Sequence, residues 1–188
     1  MFNREWLTLP DFIAHDWVQY GGESTISNLA HSVCKSNMIK DGDILIGASL
    51  GGMVACEITK IRKIPQLFLV GSAVHHNEVN HLLATLKPLL AITPLTLMKS
   101  LAARSPSPLL QMFGGTDIAF MRAMSRAIFE WDGLGTTTTK VHRIHGMHDW
   151  IIPPPSQADL LLDGGHLISM THAKVCTAYV AKFVSING

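Results

Sequence analysis

Apolar positions along the chain change their period several times, and each change marks an element. Residues 44–47 (Ile-Leu-Ile-Gly) form a continuous apolar run, short enough for a strand buried on both faces. The next run, with Met53, Val54, Cys56 and Ile58, extends to about residue 61, which is helix length. Upstream, Ile26, Leu29, Ala30, Val33 and Cys34 recur with the 3.6 period of a helix running to about Met38, and Ser24 or Thr25 stands ready to cap it. Residues 66–71 (Gln-Leu-Phe-Leu-Val-Gly) read as a strand, and residues 6–9 (Trp-Leu-Thr-Leu) as a short first strand closed by Pro10. Strand, helix, strand, helix, strand implies a parallel sheet with right-handed crossovers.

Residues 74–133 break that alternation, with no convincing strand among them. Their apolar content is too high for a solvated linker, and the reading is a helical cap inserted into a core made of residues 1–73 and 134–188. Asp117 caps a helix through Trp131 that places Phe120, Met121, Met124, Ala127, Ile128 and Trp131 on one side. Most of these side chains are read as core, with two or three, near residues 97–112, lining an acyl pocket. Strands resume at 138–144, ended by His145 and Gly146, and at 158–162. Thr171 is expected to cap a last helix with Val175, Tyr179, Val180 and Phe183 inward.

Composition narrows the function class. The chain has 188 residues, enough for one domain with a substantial core, with 47% hydrophobic and only 15% charged residues, which argues against disorder. A net charge of +1 gives no electrostatic case for nucleic acid or a membrane surface. No uninterrupted apolar stretch reaches membrane-spanning length, and the first residues lack the plan of a signal peptide. Cys34, Cys56 and Cys176 are widely spaced in apolar patterns and read as free, buried thiols of a reducing, cytoplasmic compartment.

The chemistry-bearing stretch is Gly47-Ala48-Ser49-Leu50-Gly51, a G-x-S-x-G match set between strand and helix. A serine on such a turn projects its hydroxyl clear of the sheet, and the first helical N–H groups converge where an anionic oxygen would be stabilised. Asp149 and His166 also lie just past strand ends, and sites of open parallel sheets form beyond the carboxyl ends of strands. The three types complement one another. A serine hydroxyl is a poor nucleophile, an imidazole can take and return its proton, and a carboxylate fixes the imidazole's tautomer. Asp132 and Asp163 are alternatives for the acid, although Asp163 adjoins His166 too closely along the chain. A metal cluster from His142, His145, His148 and Asp149 has poor spacing, since His142 and His145 fall on opposite faces of a strand. His75, His76 and His81 stand at the cap entrance, where they could contact ligand, and are read as solvent-exposed. No G-x-G-x-x-G follows the first strand, so no dinucleotide or other cofactor is implied.

Three segments carry a resemblance: residues 46–53 around Ser49, residues 144–153 (Ile-His-Gly-Met-His-Asp-Trp-Ile-Ile-Pro) and residues 164–167 (Gly-Gly-His-Leu). Together they resemble the α/β-hydrolase superfamily, in its small esterase- and lipase-like group with a helical cap. The resemblance implies a three-layer sandwich with a mostly parallel sheet and helices on both faces. It implies Ser49 as nucleophile, Asp149 as triad acid, His166 as base and the Leu50 amide as one oxyanion donor. Such families usually open with further strands, one of which inserts beside the elbow strand and is followed by a loop giving the second donor. The expectation here is either a truncated chain or direct pairing of the strand at 6–9 with the elbow strand across the gap. Residues 10–17, with His15 and Asp16, are then a substitute source of the donor. An uncovered sheet edge favours self-association. Two functions follow: a serine hydrolase for a small or medium apolar carboxylic ester, or a catalytically impaired fragment acting as a ligand-binding or interaction module.

Overall fold

The computed structural model describes residues 2–80 and 117–184. Four parallel strands form one sheet in the order β1 (Leu45–Ala48), β2 (Gln66–Val70), β3 (Lys140–Gly146) and β4 (Leu160–Leu162). Helices α1 (Ile26–Ser36), α2 (Leu50–Ile61) and α3 (Ile118–Ala127) belong to one face, and α4 (Ile168–Thr171) with α5 (Ala173–Val184) to the other. This is the expected α/β three-layer sandwich with helices on both faces. Period-two alternation along β2 explains the layers. Leu67 and Leu69 pack into the core under α1 and α2, while Phe68 and Val70 pack into the core under α5, all four buried.

Local chemistry sets the helix starts. Thr25 caps α1 by accepting from the Asn28 amide, and Asp117 caps α3 by accepting from the Ala119 and Phe120 amides. Ile26, Leu29, Ala30 and Cys34 are buried on α1, as the periodicity requires. Phe120, Met124, Ala127 and Trp131 join the same core, with Met121 and Ile128 half-buried. All three cysteines are free and buried.

The first strand is a correction. Residues 6–9 do not form a strand; Arg4–Thr8 is a 3-10 helix. Asn3 caps it by accepting from Glu5, and buried Trp6 donates its indole N–H to the Ser169 carbonyl at 2.8 Å. So short an apolar run carries no decisive period. Here a cap and a long-range hydrogen bond decide it. β1 is therefore an edge of the described sheet, and no pairing with residues 6–9 closes it.

Two more differences lie near the C-terminus. Thr171 ends α4 instead of capping α5, and its hydroxyl donates to the Leu167 carbonyl inside that turn. On α5 the buried positions are Ala173, Cys176, Thr177 and Val180, while Val175 is 46% exposed. Tyr179 and Phe183 are half-buried and pack against His142 on β3.

Residues 74–80 and 117–133 enter and leave the core side by side. Leu134 donates to the Val74 carbonyl at 2.8 Å, and the His76 imidazole donates from Nδ1 to the Trp131 carbonyl at 2.7 Å. Arg143 on β3 holds Glu78 through two bonds of 2.7 and 2.8 Å, and Trp131 donates to buried Glu57 on α2, which also pairs with Lys60. The stretch read as pocket-forming, 97–112, falls outside the described residues. No helix among the described residues is long and apolar enough to cross a membrane.

Phe68 is fully buried and stacks on His142 with ring centroids 4.5 Å apart. Phe68→Ala is expected to destabilise the fold by about 3–5 kcal/mol, measured as a shift in the urea midpoint at constant m-value.

Candidate active site

Ser49 occupies the single residue between the end of β1 and the start of α2. Its backbone has φ 51° and ψ −128°, a conformation that costs a non-glycine residue on the order of 1–3 kcal/mol. The site is the N-cap of α2, yet the serine side chain makes no capping bond. Its Oγ lies instead 2.8 Å from His166 Nε2. Strand and helix pass so closely that a Cβ on Gly47 would sit 2.5 Å from Gly52 Cα, whereas a Cβ on Gly51 would meet open space. The close approach therefore depends on Gly47 and Gly52, not on the second glycine of the pentapeptide.

Asp149 stands in the turn that follows β3, and its carboxylate is buried. Oδ1 accepts the Ile151 and Ile152 amides, each at 3.0 Å, and Oδ2 accepts His166 Nδ1 at 2.8 Å. Three N–H donors compensate the lost hydration of the charge. Because Nδ1 donates to the carboxylate, Nε2 is left to accept from the Ser49 hydroxyl. His166 follows β4 and Gly164-Gly165, and its side chain is only 7% exposed. A Cβ on Gly146 would overlap the carbonyls of Gly164 and Gly165 at 2.4 Å, so the loop bearing His166 lies flat on the end of β3.

The structure thus brings Ser49, His166 and Asp149 into one hydrogen-bonded line from 117 and 17 residues of separation. The alternative acids lie elsewhere. Asp163 is largely exposed and pairs with His148 at 2.9 Å, and Asp132 is exposed. His142 and His145 point to opposite faces: His142 stacks on Phe68, while His145 donates from Nε2 to the Ile152 carbonyl at 2.9 Å. Among the described residues no three His, Cys, Asp or Glu side chains are grouped to hold a metal ion. His75 and His76 are half-buried with their rings 4.2 Å apart and tilted by 35°, and His81 lies outside the described residues. Burial pushes the Cys56 thiol up to about 12 and the Cys176 thiol to about 11, so neither offers a competing thiolate.

Sequence reasoning missed two supporting residues. His145 is fully buried and holds the turn whose amides grip Asp149; its fourth-residue spacing before Asp149 was the available signal. Ser72 is fully buried and donates to the Ser49 carbonyl at 2.7 Å; its place just past the end of β2, at the same rim as Ser49, was the signal there.

A cleft of about 1560 Å³ opens in front of Ser49, Leu50 and His166. Its walls include Phe12, Ile13 and Trp17 from residues 10–17, Ile46 on β1, and Phe120 and Met124 on α3. His15 and Asp16 line it as exposed residues.

No protein-family model matches the sequence, and no curated protein does. Solved structures do. An esterase from Exiguobacterium antarcticum superposes with a TM-score of 0.66 at 18% identity, covering 90% of this chain and 80% of that one. A hydrolase from Pseudomonas aeruginosa PA01 gives 0.67 at 13% identity, covering 89% and 74%. The N-acyl homoserine lactonase AidH, complexed with N-butanoyl homoserine, gives 0.63 at 16% identity, covering 89% and 72%. The chain therefore has the α/β-hydrolase fold, shared with esterases and lactonases.

Burial holds the His142 and His145 imidazoles below their ordinary value of 6.5. The unfolded chain therefore binds protons at both positions at a higher pH than the folded chain. The stabilisation from keeping them neutral is complete above pH 6.5 and is lost as acid protonates the buried rings. The melting temperature is expected to fall between about pH 7 and pH 5. His145→Gln, which keeps a donor for the Ile152 carbonyl but cannot titrate, flattens that fall in thermal scans across the same range.

Proposed function

We propose that this chain is a serine hydrolase that cleaves a small or medium apolar carboxylic ester through an acyl-enzyme. The observation that carries the reading is the unbroken line from the Ser49 hydroxyl through His166 to the buried carboxylate of Asp149. In the mechanism, Ser49 Oγ attacks the ester carbonyl carbon as His166 Nε2 takes its proton. The carbonyl oxygen becomes an oxyanion in front of the Leu50 N–H, which as the first amide of α2 has no partner within the helix. Collapse breaks the bond to the alkoxy oxygen, and His166 returns the proton to the departing alcohol. Water, deprotonated by the same ring, then releases the acid, while Asp149 holds the ring's tautomer and stabilises its charged form throughout.

The apolar walls of the cleft support an apolar acyl or alcohol group. The esterase and lactonase among the similar structures support an ester bond, open or cyclic. Residues 74–133 are read as the cap over this cleft. In support, Phe120 and Met124 face it, and the segment leaves and rejoins the core at adjacent points. Residues 10–17 share the cleft with Leu50 and are the proposed source of a second oxyanion donor.

A fluorophosphonate probe is expected to form a covalent adduct on Ser49, located by peptide mass spectrometry. Hydrolysis of p-nitrophenyl butyrate is expected to fall by at least about 10³-fold in Ser49→Ala and by about 10³–10⁴-fold in Asp149→Asn. Equal rates in wild type and Ser49→Ala would instead point to the non-catalytic ligand-binding module.

A further inference from the structure

We infer that Ser72 is a positioning residue for the oxyanion donor, acting through the peptide plane that joins Ser49 to Leu50; this rests on the serine hydrolase reading of the site. A trans peptide points its C=O and its N–H in opposite directions within one plane, and the described chain has no cis bond. The Ser49 carbonyl is gripped on the buried side by two donors, the Ser72 hydroxyl at 2.7 Å and the Gly52 amide at 2.9 Å. With the oxygen held toward the end of β2, the Leu50 N–H is aimed the opposite way, to the side where Ser49, Leu50 and His166 line the cleft.

The packing around Ser72 serves that one bond. Ser72 is fully buried, yet it spends its hydroxyl on the backbone of the elbow. A Cβ on residue 52 would lie 2.2 Å from Ser72 Oγ and 2.5 Å from its Cβ, so only glycine at 52 leaves room for the serine to reach Ser49. From the other side Arg143 donates to the Ser72 carbonyl at 3.2 Å while it holds Glu78. Ser72 is thus clamped through its own backbone and clamps Ser49 through its side chain. Without the hydroxyl, the Gly52 amide alone holds a strained peptide plane, and that plane can rock. A donor that rocks binds the transition state less well and leaves substrate binding unchanged.

The test compares wild type with Ser72→Ala on p-nitrophenyl butyrate and on phenylboronic acid. The tetrahedral serine adduct of phenylboronic acid puts an oxygen where the oxyanion would form. Removing an oxyanion donor altogether costs about 10²–10³ in kcat, so loosening one is expected to lower kcat by about tenfold. Affinity for the boronic acid falls by a similar factor, and KM stays within about twofold. A purely structural role would lower the melting temperature and leave kcat per folded molecule and boronic acid affinity intact; that result overturns the inference. Should Ser72→Ala fail to fold, the wild type still decides. The Leu50 amide resonance is expected to move downfield when the boronic acid adduct forms, and an unmoved resonance overturns the inference. The two failures are separable. A wild type that hydrolyses the ester while Ser72→Ala keeps its kcat defeats only the role of Ser72. A wild type that forms no adduct at Ser49 defeats the hydrolase reading, and this inference with it.

Discussion

The closeness of one strand to one helix is the constraint on which the site depends. Between Gly47 and Gly52 there is no room for even a methyl group, and the oxygen of Ser72 fills the space that a side chain at 52 would need. Compressing β1 and α2 in this way leaves one residue to make the turn, and that residue is forced to positive φ. The strain is local, and the ladder hydrogen bond to Val70 and the grip on the Ser49 carbonyl hold it in place. In return, the serine oxygen projects from the rim toward His166 instead of folding back to cap its own helix.

Electrostatics completes what sterics begins. A carboxylate stripped of water is costly unless it accepts hydrogen bonds in return, and Asp149 accepts from two amides of its own turn and one imidazole N–H. The amides fix the carboxylate, the carboxylate fixes the ring, and the ring is left with one nitrogen for the serine. His145 lies one step further back, fastening the Ile152 carbonyl so that the Ile152 amide keeps its direction. Each partner is neutral or compensated, so the line needs no exposed ion pair, the kind of contact that is worth least in water.

The cleft is a consequence of where the sheet stops. β1 is the edge of the described sheet, and Ile46 on that edge shares the cleft with residues 10–17 and with α3. A strand edge with no described partner, bordering an apolar cleft, would be a liability on an open surface. Here residues 10–17 and α3 wall the space beside it, and the same space lies in front of the serine.

Much of this was legible in the residues alone. The elbow, the helices capped by Thr25 and Asp117, and the strands β1 to β4 follow from apolar period and turn chemistry, which are properties of neighbours along the chain. Ser49, Asp149 and His166 were legible for the same reason, since each sits just past a strand end in a parallel sheet. What the residues did not carry were choices made by distant partners. Residues 4–8 form a 3-10 helix instead of a strand, anchored where Trp6 donates to the Ser169 carbonyl, 163 positions away. On α5 packing buries Ala173, Cys176, Thr177 and Val180 and leaves Val175 exposed. Besides Gly47, it is Gly52 and not Gly51 that must be glycine, because Ser72 arrives beside it from the next strand. Local pattern determined which elements form and where polar groups emerge from them. Only tertiary packing decided which of those groups touch, because hydrogen bonds and steric exclusion act over ångströms in space, without regard to separation along the chain.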